Sequence, residues 1–499
     1  MSIIAWKTID WTQVEFRVRR YQTRIYKASR DKNIEKVRCL QKRFLRSLDA
    51  KLIAVQCVTT LDEVKRTPGT NENIFITENQ KGKLVQKLKL SGKTSLMKRL
   101  ATDKLGKKDK QPLGIFIIED RAKQALCLLA LEPEWEARFE PNSYGFRPGR
   151  RCHDAIESIF INLQNTSGDT GFHKYILKAD ISKCFDKIDH NYLLTKLETI
   201  PEIENQVKYW LKFGIFEEHQ ASELDQIAHT IQSPRYGGRI FPLLANITLH
   251  GMENHLENWI CNKSSFGKIS KYSKNTKRKS LAIIRYADNF VIIHKEKSII
   301  QEAKEEIAKW LLDGPHLEIR KAKISVVNSN EGFDFLGFSI ITITRGRTRT
   351  KIYPSRKSQA TLLFNVQNII QRNRSASTYN LILKLRPIII GWANYFRFSE
   401  CHRVFHKLTY LIHQKLRAWV FRRDTRNGRM KVKQWYFPSG KTYIYEGTRH
   451  HDNWVLTGRQ LNENGKMKEI WLPNMSWVKS KKWVKIKVDK SPFKGGRIY

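Results

Sequence analysis

An α+β fold with an antiparallel sheet is predicted by three observations: a buried hairpin with an acidic tip, a second strand that ends on an aspartate, and a basic helical stretch further along. The hairpin is Leu281 to His294, L-A-I-I-R-Y-A-D-N-F-V-I-I-H, in which two apolar, β-branched runs flank a short turn presenting Asp288 and Asn289. The strand is Tyr175 to Ala179 in Y-I-L-K-A-D-I-S-K-C-F-D, which delivers Asp180 at its end. From Ser358 the pattern is helical. Leu362, Leu363, Val366, Ile369 and Ile370 mark one helix, Tyr379 to Ile390 a second, and Val404, Leu408, Leu411, Ile412, Leu416 and Trp419 a third. A lone Asp in a turn is ordinary turn chemistry. Two carboxylates at strand ends mean more, because nucleotidyl transfer by two metal ions needs carboxylates that converge on divalent cations.

Composition narrows the function classes. With 499 residues and 40% hydrophobic content, the chain has material for about two to four folded domains. A formal charge of +43 with 11% aromatic residues points to a polyanion whose phosphates are neutralised by Lys and Arg, and so to nucleic acid. No apolar run approaches the roughly 18 residues of a spanning helix, and no secretory signal opens the chain. Seven cysteines without a C-x-x-C pair indicate neither zinc nor a disulfide framework, and fit a reducing compartment.

Taken in order, Trp6 to Val58 places Val14, Val18, Tyr21, Ile25 and Ala28 at helical spacing among Arg17, Arg19, Arg20, Arg24 and Lys27. This is a basic amphipathic helix, whose polar side is either a solvated face or an RNA contact. The Lys-rich stretch Thr77 to Lys110 reads as fingers or loop. A helix follows from Asp120 to Glu132, where Pro133 should end it. In S-Y-G-F-R-P-G-R-R, Arg147, Arg150 and Arg151 set positive charge around a turn, suited to phosphate or base contact, ahead of a helix starting near Cys152. Asp189-His190 opens a helix with Leu193, Leu194 and Leu197. Ile299, Ile300, Ala303, Ile307 and Trp310 stripe another that stops near Gly314-Pro315. A strand pair follows, K-A-K-I-S from Lys321 and Glu331 to Phe338, and the tail carries strand-like pieces at Trp435 and Trp483.

The A-D-I-x-x-C-F-D strand, the Y-A-D-x hairpin, E-P-N-S-Y-G-F-R-P-G-R at Glu140 to Arg150 and F-P-L-L-A-N-I at Phe241 to Ile247 resemble the reverse transcriptase blocks of group II intron-encoded proteins, the maturases. I-I-I-G-W-A-N-Y-F-R at Ile388 to Arg397 resembles their domain X. The resemblance implies a right-hand polymerase with an antiparallel palm sheet, followed by a helical thumb. Its parts would be a basic RNA-binding extension at 1–60, fingers and palm at 61–341, domain X at 358–424, and a basic region at 425–499 that stops before the zinc-bearing HNH endonuclease of many relatives. It further implies Asp180 and Asp288 as catalytic carboxylates and magnesium ligands, with Mg2+ the cofactor of a polymerase-active form and no zinc. Phe185 would lie under the incoming sugar, and Arg147, Tyr236, Gly237 and Gly238 would line the nucleotide and template site. Arg17, Arg20, Arg24, Arg397, Arg403, Lys407 and Arg417 would contact RNA. The implied partner is group II intron RNA, with a DNA target and a homodimer as further options and no membrane, in a plastid or bacterial cytoplasm and not secreted.

Departures from the family pattern decide between activities. Asn289 stands where a second carboxylate is usual, Gln111, Phe116, Tyr236, Phe241 and Ile324 replace other block residues, and the turn at Lys65 to Glu72 lacks its Asp-Gly pair. An amide beside divalent cations contributes no charge. The expectation is therefore a maturase that promotes splicing of its host intron by stabilising the folded RNA, without copying it. The alternative is an active RNA-directed DNA polymerase serving intron mobility. A generic RNA-binding protein would leave the ordered series of blocks unexplained.

Overall fold

A computed structural model describes residues 6–61, 77–92, 98–103, 110–115, 117–164, 173–182, 184–216, 235–236, 238–263, 273–320, 322, 324–345, 347–461, 466–486 and 490–494. The chain divides into two compact units, one made of residues 1–155, 176–326 and 486–499, the other of 156–175 and 327–485.

The first unit opens with helices α1 (Trp11–Arg30), α2 (Ile34–Arg46), α3 (Leu48–Gln56) and α4 (Glu78–Lys87). Their starts are written locally. Asp10 caps α1 through Gln13 N, Asn33 caps α2 through Lys36 N, and Thr77 and Gln80 form a reciprocal capping box on α4. That helix occupies part of the stretch expected to be loop, because the capping box and Val85, buried on one face, outweigh the lysine content. In α1 the predicted apolar positions Val14, Val18, Ile25 and Ala28 are buried, and Arg19, Arg20, Arg24 and Lys27 stay exposed. Strands β1 (Lys98–Asp103) and β2 (Lys110–Ile115) pair antiparallel ahead of α5 (Ile118–Arg138).

Pro133 does not end its helix: α5 continues through it to Arg138. A proline inside a helix has no N–H for the carbonyl four residues back. Here that carbonyl, Leu129 O, accepts from Gln22 Nε2 at 3.0 Å, and Ala130 O accepts from Gln41 Nε2 at 3.2 Å. The Gln22 side chain of α1 thus replaces the lost bond, Gln41 of α2 adds a second tie, and the extra turn buries Glu134, Trp135 and Glu136.

Helix α6 (Cys152–Leu163) leads to β3 (Tyr175–Asp180), followed by α7 (Cys184–Lys187), α8 (His190–Leu197) capped by Asp189, and α9 (Pro201–Phe216). Strand β4 (Arg235–Tyr236) runs parallel to β2. Then come α10 (Phe241–Thr248), α11 (Met252–Asn262), α12 (Lys274–Ser280), β5 (Ala282–Tyr286), β6 (Asn289–His294), α13 (Lys297–Asp313) and β7 (Ser325–Asn328). The central sheet has the order β5-β6-β3-β7, so the hairpin lies directly beside the strand that ends on Asp180. Ile283, Ile284 and Phe290 to Ile293 are buried, as the run of apolar residues required.

The second unit contains an antiparallel sheet of β8 (Phe333–Phe335), β9 (Phe338–Arg345) and β10 (Arg347–Pro354), then α14 (Arg356–Arg372), α15 (Thr378–Phe396) and α16 (His402–Arg423). Position 341 falls inside β9, paired with Lys351. Phe338 stacks on Tyr395 with centroids 5.4 Å apart, and Tyr395 donates its hydroxyl to Leu336 O at 3.1 Å, so the aromatic residues of the G-W-A-N-Y-F signature hold helix to sheet. Beyond lie α17 (Arg429–Tyr436) and the hairpins β11 (Thr442–Tyr445) with β12 (Thr448–His451), and β13 (Thr457–Leu461) with β14 (Met467–Trp471). The strands of the tail are therefore not the two expected. Trp435 ends a helix, and residues 481–486 have no regular structure.

Candidate functional site

The hairpin closes with Tyr286 opposite Asn289, which leaves Ala287 and Asp288 as a two-residue turn, with Ala287 at φ 57°. Backbone bonds fix this tip to the end of β3. Ile181 N donates to Asp288 O at 3.0 Å, and Arg320 N donates to Asp180 O at 2.8 Å. The structure thus brings together Asp180 and Asp288, the two carboxylates expected to converge. Asp180 is buried and Asp288 half-buried.

Their surroundings are not those of a bare metal site. Asn289 Nδ2 donates to Asp288 Oδ1 at 2.9 Å, and the Arg320 guanidinium lies 3.8 Å from Asp180 Oδ2. Both contacts put positive or hydrogen-bonding charge on the oxygens a cation would use. Two carboxylates fit one hard cation completed by waters and phosphates, and Asp180 and Asp288 would hold it. Bound there, such an ion would supply the activation of a hydroxyl nucleophile. Among the described residues no group of three or more His, Cys, Asp or Glu side chains could hold a metal ion.

The Y-G-F-R block lies over the turn. Arg285 N donates to Asn142 O and Tyr144 N donates to Arg285 O, each at 2.9 Å. Gly145 is required here: a Cβ would stand 2.3 Å from Ala287 N. Asn246, from the F-P-L-L-A-N-I block, ties the layers by donating to Gly145 O at 2.7 Å and accepting from Arg285 at 3.1 Å. Around this knot burial shifts several groups. It lowers the Arg285 guanidinium to about 10, raises the Glu253 carboxyl to about 7, and lowers His250 to about 4.

Several expected nucleic-acid contacts are instead structural. Arg147 is buried and holds Glu136 with two hydrogen bonds, at 2.8 and 2.9 Å, and the carbonyls of Glu140 and Ser143, each at 2.7 Å. Its guanidinium faces inward and does not line a template site. Arg150 is also buried, donating to Ile486 O and Lys490 O. Arg397 is buried between Glu446 at 3.2 Å, Lys479 O at 3.0 Å and Asn394, so it pins the end of α15 and presents no charge to RNA. Arg17 is exposed but gripped by Asp49 at 2.7 and 2.8 Å. Phe241, which replaces a usual block residue, is 5% exposed and belongs to the hydrophobic core of the first unit.

Arg20, Arg24, Arg403, Lys407 and Arg417 do stand exposed. Gly238 is buried where a Cβ would meet Gln124 Oε1 at 2.3 Å. The side chains of Gln111, Phe185 and Tyr236 lie outside the described residues, as do Gly237, Phe116 and the Lys65 to Glu72 turn. Sequence reasoning misses two participants, Asn246 and Arg320. Asn246 is a lone polar residue in an apolar helical run, which is the available signal. Arg320 carries none.

Three stretches of the chain match known families. Residues 6–88 match the N-terminal domain of reverse transcriptase, 102–340 match the reverse transcriptase (RNA-dependent DNA polymerase) family, and 360–437 match the group II intron maturase-specific domain. Protein YkfC of Escherichia coli is 30% identical over 306 residues, which cover 56% of this chain and 74% of that protein. Maturase-like protein 1 of Euglena gracilis is 26% identical over 78% of this chain and 77% of its own length. The group II intron-encoded protein LtrA of Lactococcus lactis is 28% identical, and the match spans 49% of this chain and 46% of that protein. No helix among the described residues is long and apolar enough to cross a membrane. With these family matches over both the polymerase and the maturase-specific regions, and with these relatives, the chain belongs to the reverse transcriptase and maturase family of group II intron-encoded proteins.

Proposed function

We propose that this chain is a splicing maturase that binds its host intron RNA, stabilises the folded intron, and does not copy RNA. The observation that carries the second half is the state of the hairpin tip. Asn289 removes one negative charge and directs its amide at Asp288, while Arg320 faces Asp180. A polymerase must gather negative charge there to hold two cations against a triphosphate. The first half rests on the maturase-specific match at 360–437 and on the exposed cations of α1 and α16. Splicing chemistry would belong to the intron RNA, and the protein would neutralise and orient phosphates.

The competing reading, an RNA-directed DNA polymerase serving intron mobility, is favoured by the retention of both Asp180 and Asp288 at adjoining strand ends. One experiment separates them. The purified chain is given its host intron precursor and, separately, a primed RNA template with deoxynucleotides and magnesium. The proposal expects faster splicing at limiting magnesium and negligible extension. Full-length cDNA would establish the other reading. The Euglena and bacterial relatives support a plastid or bacterial setting.

A further inference from the structure

Helix α16 contains no carboxylate along its whole length, H-R-V-F-H-K-L-T-Y-L-I-H-Q-K-L-R-A-W-V-F-R-R. Arg403, Lys407, Tyr410, Gln414, Arg417 and Phe421 recur in it at alternating steps of four and three residues, which puts all six on one face over about 27 Å. Arg403, Lys407, Tyr410 and Arg417 are exposed, and the opposite face, with Leu408, Ile412, Leu416 and Trp419, is buried. A row of cations alone is a solvated face or a phosphate track. This row is interrupted at its middle by an aromatic ring, Tyr410, which is 47% exposed.

Tyr410 has a companion. The indole of Trp454, 42% exposed, lies 5.8 Å from it and stacks on His413 at 5.0 Å with planes 14° apart. Trp454 is presented by a rigid turn, since Trp454 N donates to Asp452 Oδ1 at 2.8 Å and Asn474 holds the other carboxylate oxygen of Asp452. Beneath the rings, Thr409 Oγ1 is buried without a hydrogen-bond partner among the described residues, beside a cavity of about 10 Å3, room for one water. A ligand therefore lies on the rings and does not enter beneath them. Two rigid aromatic faces left in water beside three cations suit one class of ligand: an unpaired base whose flanking phosphates meet the cations.

We propose that Tyr410 and Trp454 form a stacking platform for an unpaired nucleobase of RNA, with Arg403, Lys407 and Arg417 taking the neighbouring phosphates. This rests on the maturase reading and adds to it a preference for single-stranded or looped segments. An α-helical phosphate track without the platform would not distinguish a loop from a duplex.

The test uses the full chain and two labelled probes, an oligouridylate and a blunt-ended RNA duplex whose strands have the same length, each titrated at two salt concentrations. Tyr410→Ala should weaken oligouridylate binding by about tenfold with an unchanged salt slope, while duplex binding stays as in the parent. Tyr410→Phe should bind like the parent. Because Trp454 also packs on His413, Trp454→Ala is read only alongside its melting temperature. Photocrosslinking of a 5-iodouridine oligonucleotide, mapped by mass spectrometry, should place adducts on Tyr410 or Trp454. The proposal is overturned by an equal loss on both probes, by no loss, or by adducts that avoid both residues. It is also overturned if Tyr410→Ala changes the sedimentation of the chain and not its oligonucleotide affinity, since the face would then bind a second copy. Failure of the splicing assay with stacking intact would count against the maturase reading alone.

Discussion

Asn289 Nδ2 donates a 2.9 Å hydrogen bond to Asp288 Oδ1, so the residue that replaces a second carboxylate also engages an oxygen of the first. Asn289→Asp should remove the bond and set two carboxylates side by side. Without divalent ions the variant should be less stable by about 1 kcal/mol, and millimolar magnesium should raise its melting temperature more than the parent's. Thermal melts with and without magnesium check this; equal magnesium responses would contradict it.

Gly145→Ala brings a methyl group to within 2.3 Å of Ala287 N, where backbone and not a movable side chain stands in the way. Overpacking of this kind costs about 1–3 kcal/mol. A denaturant titration should report it, and a neutral result would mean that the turn can retreat.

Arg147→Ala strips the partner from Glu136 in a buried pair, at a cost of about 3–5 kcal/mol. The double variant Arg147→Met with Glu136→Leu should recover a good part of that loss. Neither should alter the salt slope of RNA binding in protein that remains folded. A reduced slope would return Arg147 to the nucleic-acid interface.

Glu253 is buried under hydrogen bonds from Asn142 N at 3.2 Å and Asn142 Nδ2 at 2.6 Å, and burial is what raises its pKa to about 7. A carboxyl raised above its unfolded value near 4.3 keeps its proton longer in the native state. Its contribution to stability is therefore greatest below that unfolded value and falls as pH rises towards 7. Glu253→Gln should remove the fall, gaining on the parent by on the order of 2–3 kcal/mol between pH 4.5 and 7.5. His250, held near 4 by burial, gives the opposite slope between about 4 and 6.5 in both proteins, so the comparison of the pair isolates Glu253. Urea midpoints across this range are the measurement, and parallel curves would refute the assignment.

Asp180→Ala with Asp288→Ala should leave host-intron splicing nearly unchanged. Arg403→Ala with Lys407→Ala should weaken intron binding and lower its salt slope by about one for each phosphate that the chain no longer neutralises. Arg397→Ala, by contrast, should lower the melting temperature, because Glu446 and Lys479 O are deprived of their partner. Splicing rate against magnesium and intron affinity at two salt concentrations decide it. An abolished reaction in the aspartate variant with a silent basic variant would sink the maturase reading.

Local features are legible in the sequence. The hairpin, the strand reaching Asp180, the cap at Asp189 and the apolar stripes of α13 to α16 follow from spacing within one element. What stays hidden is the partner of each charge. Arg147, Arg150 and Arg397 look alike in sequence as cations near a turn or helix end, yet their partners are Glu136, the carbonyl of Ile486 and Glu446. Pro133 misleads for the same reason: the replacement donor, Gln22, is remote in the chain. At Trp435 an aromatic triplet looks like a strand, but the preceding R-M-K-V-K-Q run propagates a helix into it.

The packing of Ile486 and of residues 490–494 on the rest of the first unit has a kinetic side. Ile486 N donates to Asp154 Oδ1, Arg150 reaches the carbonyls of Ile486 and Lys490, and Phe493 lies against Tyr26. The sequence between Val326 and Ile486, which belongs to the other unit, acts as the tether for this docking. Its covalent continuity keeps the segment at a high effective concentration. On the ribosome the same geometry imposes an order, because the first unit waits for its last piece until the whole second unit has been synthesised.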